Sequence, residues 1–582
     1  MCGIIGYIGK RNTKEILVNG LKKLEYRGYD SAGIALKNEQ ELQIIKSLGK
    51  ITDLEEKIFR EETIDCQLGI GHTRWATHGE PSEVNAHPQK SGKITLVHNG
   101  IIENASLLKK ELEEEGVVFK SSTDTEVIAA LINKYYTHNM VEAIQKAIVK
   151  LKGSYALAII NDDDADKLYA VRCESPLILG VSDGEYFVTS DIGAIIDQTR
   201  KYVLLGENEI ITLTKDGFTI IKDGKKVERS IEVSNLSLEN ASLCGYEHYM
   251  IKEIMEEPML VDNLIQKYKN NMDLLPDLNQ YDTIHIVGCG SAYYAGMIGK
   301  NFFEEDGKIV EIDVASEYRY RNIIYHDNTL VVLISQSGET ADTIAAMRKA
   351  IKNKVDTLAI VNVDGSTIAR ECKYKILIEA GREVAVATTK AFILQVLVLS
   401  FLSYKINPVK GYLEELKRLP QNLKILLDKS GFYKKLADAI YQHEDVFFIG
   451  RRVDYAISLE GSLKLKEVSY IHSEAYQAGE LKHGTISLIQ EGTIVFGIVT
   501  DEMTKDKTIS NLEEVISRGA IPIYVGTEEC SYENKIIVPK INTKLQPILV
   551  VPVLQMIAYY VAYKRGCDID KPKNLAKSVT VE

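Results

Sequence analysis

Thr283-Ile-His-Ile-Val-Gly288, an apolar run closed by a glycine, has a counterpart of the same character in Val446-Phe-Phe-Ile-Gly450, about 162 residues further on. Nearly the same offset relates Thr329-Leu-Val-Val-Leu-Ile334 to Thr493-Ile-Val-Phe-Gly-Ile498, Thr357-Leu-Ala-Ile-Val361 to Ala520-Ile-Pro-Ile-Tyr-Val525, and Leu394-Gln395 to Leu554-Gln555. The second half of the chain is therefore duplicated. In each copy, short β-branched runs alternate with helix-length segments such as 341–353 and 511–518. A continuous apolar run, rather than an alternating one, marks a strand buried on both faces, as in a parallel sheet covered by helices. Two doubly wound α/β domains are expected.

Toward the start of the chain the pattern changes. Residues 156–160, 168–172, 186–189 and 209–214 read as strands between Asp-Gly or Gly turns, and 13–25 and 124–136 as helices, which predicts a layered domain of mixed α and β structure. The expected division is an N-terminal domain over 1–220, a polar, charged linker over 221–244, a first doubly wound domain over 245–410, a connecting segment over 411–435, a second doubly wound domain over 436–570 and a tail over 571–582.

A chain of 582 residues is long enough for several cores. Its 82 acidic and 70 basic residues give a net charge of −12, which offers nucleic acid nothing. The eight cysteines (2, 66, 173, 244, 289, 372, 530, 567) are scattered without CxxC pairs, so a reducing, cytoplasmic setting is expected. The start, Met1-Cys-Gly-Ile-Ile-Gly-Tyr-Ile-Gly-Lys10, lacks the basic and long apolar regions of a signal peptide. The apolar stretch 545–563 is interrupted by Gln546, Pro547, Pro552 and Gln555 and reads as a core helix, not a membrane span.

Cys2 alone is a weak signal. With Met1 removed, however, its thiol sits beside a free α-amine of pKa about 8, a base that can activate it without a histidine. Attack on an amide carbonyl then needs donors for the oxyanion, which Asn99 and Gly100 can supply at the end of the apolar run 94–97. An amino-acid substrate also needs its charged groups held: Arg74 can clamp a carboxylate and Asp124 can receive an ammonium. Each has a bland alternative, Arg74 as a surface ion pair and Asp124 as a helix N-cap.

Cys2-Gly-Ile, Tyr26-Arg-Gly-Tyr-Asp-Ser-Ala-Gly33, His72-Thr-Arg-Trp-Ala-Thr-His-Gly79, His98-Asn-Gly100 and Ser122-Thr-Asp-Thr-Glu126 follow one another in order. Over roughly the first 220 residues the chain resembles the class II glutamine amidotransferases. The resemblance implies an N-terminal nucleophile hydrolase fold, an αββα sandwich, with Cys2 as nucleophile, Asn99 and Gly100 as oxyanion hole, Arg74, Thr77, His78 and Asp124 around glutamine, and Trp75 as gate of an ammonia passage.

In the duplicated half, Gly288-Cys-Gly-Ser-Ala-Tyr-Tyr-Ala-Gly296 has Tyr293 where a dinucleotide fingerprint needs glycine. Ser335-Gln-Ser-Gly-Glu-Thr340 offers hydroxyls and free N–H groups at a helix start, suited to a phosphate monoester, although an ordinary serine-rich N-cap reads the same way. Glu460, Lys464 and Glu467 share a helix face, which a solvated salt-bridge face explains equally well. Lys577, near the end of the chain, can form an imine with a ketone if desolvated.

With these segments, and with 246–258, Ala387-Thr-Thr-Lys-Ala391 and 460–476, the whole chain resembles amidotransferases that carry two sugar isomerase (SIS) domains and act on sugar phosphates. The resemblance implies conversion of fructose 6-phosphate and L-glutamine into glucosamine 6-phosphate and glutamate, the opening step of hexosamine synthesis, in a homodimer without metal or redox cofactor. It implies Ser291, Ser335, Gln336, Ser337, Thr340, Val386 and Thr388 at the sugar phosphate, Glu467 as the C1–C2 proton carrier, His483 for ring opening, Lys577 for the imine and Lys464 for charge on the enolamine. Departures are Ala292 for a hydroxyl residue, Thr388 for serine and Thr485 for proline. They keep two other readings in view, a relative acting on another ketose phosphate or in the deaminating direction, and a sugar-phosphate sensor.

Overall fold

The computed structural model describes residues 2–76, 79–234 and 243–580, and the chain divides into two compact units, residues 1–240 with 578–582, and residues 241–577. In the first unit two antiparallel sheets lie face to face. One has eight strands in the order Glu232–Val233, Lys201–Leu204, Ile178–Ser182, Glu185–Thr189, Gly3–Ile8, Leu68–Arg74, Ser31–Lys37 and Leu42–Leu48. The other has seven, running from Lys225–Val227 at one edge through Gly217–Lys222, Ile210–Thr214, Leu168–Cys173, Gly153–Asn161 and Ile94–Ile102 to Gln89–Ser91.

The strand Gly3–Ile8 shows why this half reads as apolar runs. With side chains alternating across the sheet, Ile4 and Ile8 enter the core between the sheets with Ile70, Val97 and Ala158, while Ile5 and Tyr7 face the helix Thr13–Leu24 through Leu17 and Leu21. Helices Ala105–Glu114, Asp124–Tyr135 and Met140–Ile148 cover the second sheet in the same way. The result is the αββα sandwich expected from the resemblance.

The stretch expected to be a linker, 221–244, is a correction. Strands Gly217–Lys222, Lys225–Val227 and Glu232–Val233 belong to the two sheets, so the N-terminal unit runs some twenty residues further than expected. Lys225–Val227 and Glu232–Val233 are short, charged edge strands, the composition that keeps an edge from pairing with other chains and also hides it from an apolar pattern.

The second unit contains two five-stranded parallel sheets of identical order. The first runs Ile309–Val314, Thr283–Gly288, Thr329–Ser335, Asp356–Val361, Tyr374–Leu377; the second runs His472–Gln477, Asp445–Gly450, Ile494–Val499, Ile521–Gly526, Lys535–Ile537. Both are doubly wound, and in each the direction of winding reverses between the second and third strands in space. The strands Ile309–Val314 and His472–Gln477 escaped the repeat because they carry polar residues. The helix expected at 511–518 begins earlier and spans Lys505–Ile516.

The connecting segment is helical, Tyr412–Leu427 and Ser430–Asp438, and buries Tyr412, Leu416, Leu419 and Leu423 in a core shared by both repeats. Helix Gln546–Lys564, long and apolar enough to cross a membrane, lies in that core, with Leu549, Val553, Met556 and Ile557 almost fully buried.

Candidate functional site

In the first unit the site forms at one end of the facing sheets. The backbone N–H of Trp75 donates to Cys2 Sγ at 3.3 Å, and Asn99 Nδ2 donates to Cys2 O at 2.9 Å. Burial pushes the Cys2 thiol up, opposed by the Trp75 N–H and the Arg74 charge. His72 fixes the orientation of Asn99. Burial drives its imidazole down to about 3, so it is neutral, and its Nε2 lies 3.0 Å from His98 O and 3.1 Å from Asn99 Oδ1. With Nε2–H facing two carbonyl oxygens, the amide nitrogen of Asn99 is turned toward Cys2. Gly100 has φ +137°, and a Cβ there would stand 2.0 Å from Ser154 O, so no other residue fits this backbone.

Both bland alternatives fail here. Arg74 is 3 % exposed and its guanidinium donates to Gly79 O at 2.9 Å and Glu80 O at 3.3 Å, so it is no surface ion pair. The helix Asp124–Tyr135 is capped by Thr123, which accepts from Glu126 N, while Asp124 Oδ2 instead accepts from Ile102 N at 3.0 Å. Cys2, Asp30 and Asp124 all act electrostatically on Arg74, which brings the four to one place. Thr77 and His78 lie outside the described residues. Reading the sequence missed Asp30, which accepts from Ala76 N at 2.8 Å and pins the loop after Arg74, and the buried layer of His72, His87, His98 and Thr125. Asp30 and His72 lie inside quoted motifs, which was their only signal.

In the second unit, Ser335–Thr340 closes the third strand of the first sheet at the winding reversal. Gly338 N donates to Ser335 Oγ at 3.0 Å, Ser335 Oγ and Thr340 Oγ1 are 3.0 Å apart, and Glu339 N donates to Ser337 Oγ at 3.1 Å. The loop thus curls at the N-terminus of the twelve-residue helix Ala341–Lys352, whose dipole favours an anion. Gly338, at φ +65°, has no room for a Cβ beside Ser366. Gln336 O accepts from Asn362 N, which ties the loop to the next strand.

Glu460, Lys464 and Glu467 do share a face of helix Val453–Ser469, but not a solvated one. Glu460 and Lys464 are fully buried, with Lys464 Nζ 2.5 Å from Glu467 and 3.6 Å from Glu460. Burial pushes Glu460 up to about 7, though Lys464 and the Ser291 hydroxyl, at 3.1 Å, pull it down. For Lys464 burial works against the charge, but Glu467 and Glu460 outweigh it and hold the ammonium above its ordinary range.

Lys577 is buried against Glu383, a residue the sequence reading passed over. Burial pushes Glu383 up; Lys577 and the N–H groups of Thr389 and Ala391 overcome this and leave it below the ordinary value. Glu383 in turn acts on Lys464, so both groups belong to one charged cluster.

The loop carrying Glu383, Val386 and Thr388 is held twice. Glu253 accepts from Val384 N and Ala385 N, and Val386 N donates to Asp570 O at 3.0 Å. The Asp570 carboxylate caps helix Tyr249–Tyr268 through Tyr249 N at 2.7 Å and Met250 N at 2.8 Å. His483, in contrast, is exposed, and no hydrogen bond joins it to Lys464, Glu467 or Lys577 among the described residues.

The equivalent crevice of the second repeat is filled by the chain itself. Asp454, fully buried, accepts from Thr500 N at 2.7 Å, Asp501 N at 2.9 Å and Thr500 Oγ1. In the first repeat the corresponding loop, 335–340, is instead held by its own hydroxyls and backbone N–H groups.

Sandwich, amino-terminal thiol and paired isomerase sheets together define an amidotransferase of the N-terminal nucleophile class joined to a sugar isomerase module. The glutamine amidotransferase domain family matches residues 72–197, and the SIS domain family matches 277–404 and 439–565. The glutamine–fructose-6-phosphate aminotransferases (isomerizing) of Clostridium tetani and of Caldanaerobacter subterraneus subsp. tengcongensis are 46% and 45% identical to the chain over the full length of both proteins. The C-terminal domain of glucosamine-fructose-6-phosphate aminotransferase from Francisella tularensis superposes with a TM-score of 0.54 at 35% identity, covering 57% of this chain and all of that one. The chain belongs to the family of isomerizing glutamine–fructose-6-phosphate aminotransferases.

Proposed function

We propose that the chain converts D-fructose 6-phosphate and L-glutamine into D-glucosamine 6-phosphate and L-glutamate. The observation that carries this is the buried cluster of Lys577, Glu383, Lys464, Glu467 and Glu460, because imine formation and proton transfer need paired charges shielded from water. At the other site, once Met1 is removed, Cys2 adds to the glutamine amide, ammonia leaves, and water releases glutamate from the thioester. Asn99 and Gly100 stabilise the oxyanion, and Arg74, Asp124, Thr77 and His78 hold the amino acid.

At the sugar, Ser291, Ser335, Gln336, Ser337, Thr340, Val386 and Thr388 hold the sugar phosphate, and His483, whose exposure leaves it free to meet substrate, opens the ring. The Lys577 amine adds to C2 with loss of water, and ammonia then displaces it. Glu467 takes a proton from C1 and returns one to C2, with Lys464 beside the enolamine charge. This is an internal shift of two hydrogens, so no redox cofactor is required. Trp75 is the proposed gate for ammonia, the working form a cytoplasmic homodimer, and neither nucleic acid nor membrane is a partner. Purified protein given both substrates should yield equal glutamate and glucosamine 6-phosphate; activity only with another ketose phosphate, for which Ala292 and Thr485 leave room, would overturn the substrate assignment.

A further inference from the structure

We propose that the first unit carries a second binding site, for a small molecule bearing a single phosphate, in a cleft at the opposite end of its sheets from Cys2. The cleft has a volume of about 860 Å3, within the range of small-molecule pockets. It lies where Ile8, Leu68 and Lys37 stand side by side in register, whereas Cys2 adjoins the Gly3–Thr73 pair at the other end, about 17 Å away along the strand.

Three features converge on it. Lys37 lines the cleft, is only 4 % exposed, and has no hydrogen-bond or ion-pair partner for its amine among the described residues. Its stem is buried while its amine reaches the cleft, so an anion seated there would pair with it without first having to displace a protein partner. Lys10 and Lys215 line the same cleft, also without ion-pair partners among the described residues. Lastly, the twelve-residue helix Thr13–Leu24 opens onto it: the Asn12 cap takes Glu15 N, and the N–H groups of Thr13 and Lys14 find no acceptor among the described residues.

The ligand's charge is bounded from the other side. Arg11 is committed to Glu185, and the carboxylates of Glu39, Asp65 and Asp166 share the wall. They repel a di- or triphosphate but accept hydrogen bonds from hydroxyls, so a phosphate monoester with a hydroxylated body fits.

The test uses the full-length protein, with inorganic phosphate as probe and hydrogen exchange of segments 8–14 and 36–39 as a local readout that phosphate bound in the other unit does not move. Phosphate should slow exchange in both segments, Lys37→Met should raise the half-saturating concentration at least about tenfold, corresponding to ~1.4 kcal/mol, and Lys37→Arg should stay within about threefold of wild type. Should Lys37→Met fail to fold, the rim variant Lys10→Met/Lys215→Met should weaken protection about three- to tenfold. No protection by phosphate at tens of millimolar, or protection equal in wild type and these methionine variants, would overturn the site.

Discussion

Replacing Asn99 by alanine isolates one term of the glutaminase chemistry. The side chain contributes a single donor, aimed at the Cys2 end by the neutral His72 imidazole. Removing one preorganised oxyanion donor costs about 3–4 kcal/mol of transition-state stabilisation, so kcat for glutamine hydrolysis should fall roughly 100- to 1,000-fold. Because the oxyanion exists only past the ground state, KM for glutamine should change less than about threefold. His72→Phe sharpens the reasoning. It keeps the ring volume but frees the Asn99 amide to turn its oxygen toward the developing charge, so a loss of about ten- to a hundredfold is expected, again in kcat. The assay is steady-state glutamate release, with near-UV circular dichroism to show that the fold survives. A kcat for Asn99→Ala within threefold of wild type, or a loss confined to KM, would refute the oxyanion role.

Cys2→Ala should abolish glutamate release while isothermal titration still detects fructose 6-phosphate binding; loss of both would mean that the residue is structural. Lys577→Met should abolish trapping of fructose 6-phosphate by cyanoborohydride, read as a mass adduct, and leave glutaminase activity standing. Asp570→Ala removes the carboxylate that caps helix Tyr249–Tyr268, a loss of about 1–2 kcal/mol, and should cut amino-sugar formation about tenfold with Asp570→Asn in between; equal activity in all three would contradict a role for this cap in holding the Asp570 backbone, whose carbonyl accepts from Val386 N, in place. Glu460 predicts the pH dependence of the second unit. Its folded value, about 7, exceeds the ordinary carboxylate value, so the folded state holds the extra proton and stability falls as pH rises between about 4.5 and 7, by up to ~3 kcal/mol. Glu460→Gln should flatten that slope in thermal melts between pH 5 and 8, and an unchanged slope would count against it.

The duplicated half was legible because parallel strands buried on both faces cannot avoid continuous apolar runs, and Thr283–Gly288, Thr329–Ser335 and Asp356–Val361 do so in plain view. Ile309–Val314 and the edge strands beyond residue 222 were not, since an edge or half-exposed strand needs little apolar character. At the sites, the residues expected to touch substrate lay within recognisable motifs. Of those that position them, Asp30, His72 and Glu253 fell inside quoted stretches that gave no hint of their role, and Glu383 and Asp570 fell outside any, because they act through backbone groups and a tail brought near only by folding. Spacing alone also misread exposure. The interval between Glu460 and Lys464 suits a solvated ion pair, and only the packing of helix Val453–Ser469 against helix Gln546–Lys564 and the first repeat reveals it as buried. The reverse holds for Asp454, whose carboxylate fills the crevice of the second repeat in a way no motif announces.

The central claim is that nitrogen released at Cys2 ends on C2 of the sugar. Supplying glutamine labelled with 15N at its amide together with fructose 6-phosphate, in the presence of unlabelled ammonium, should give 15N-glucosamine 6-phosphate in one-to-one ratio with glutamate. Glutamate formed without labelled amino sugar would contradict the account.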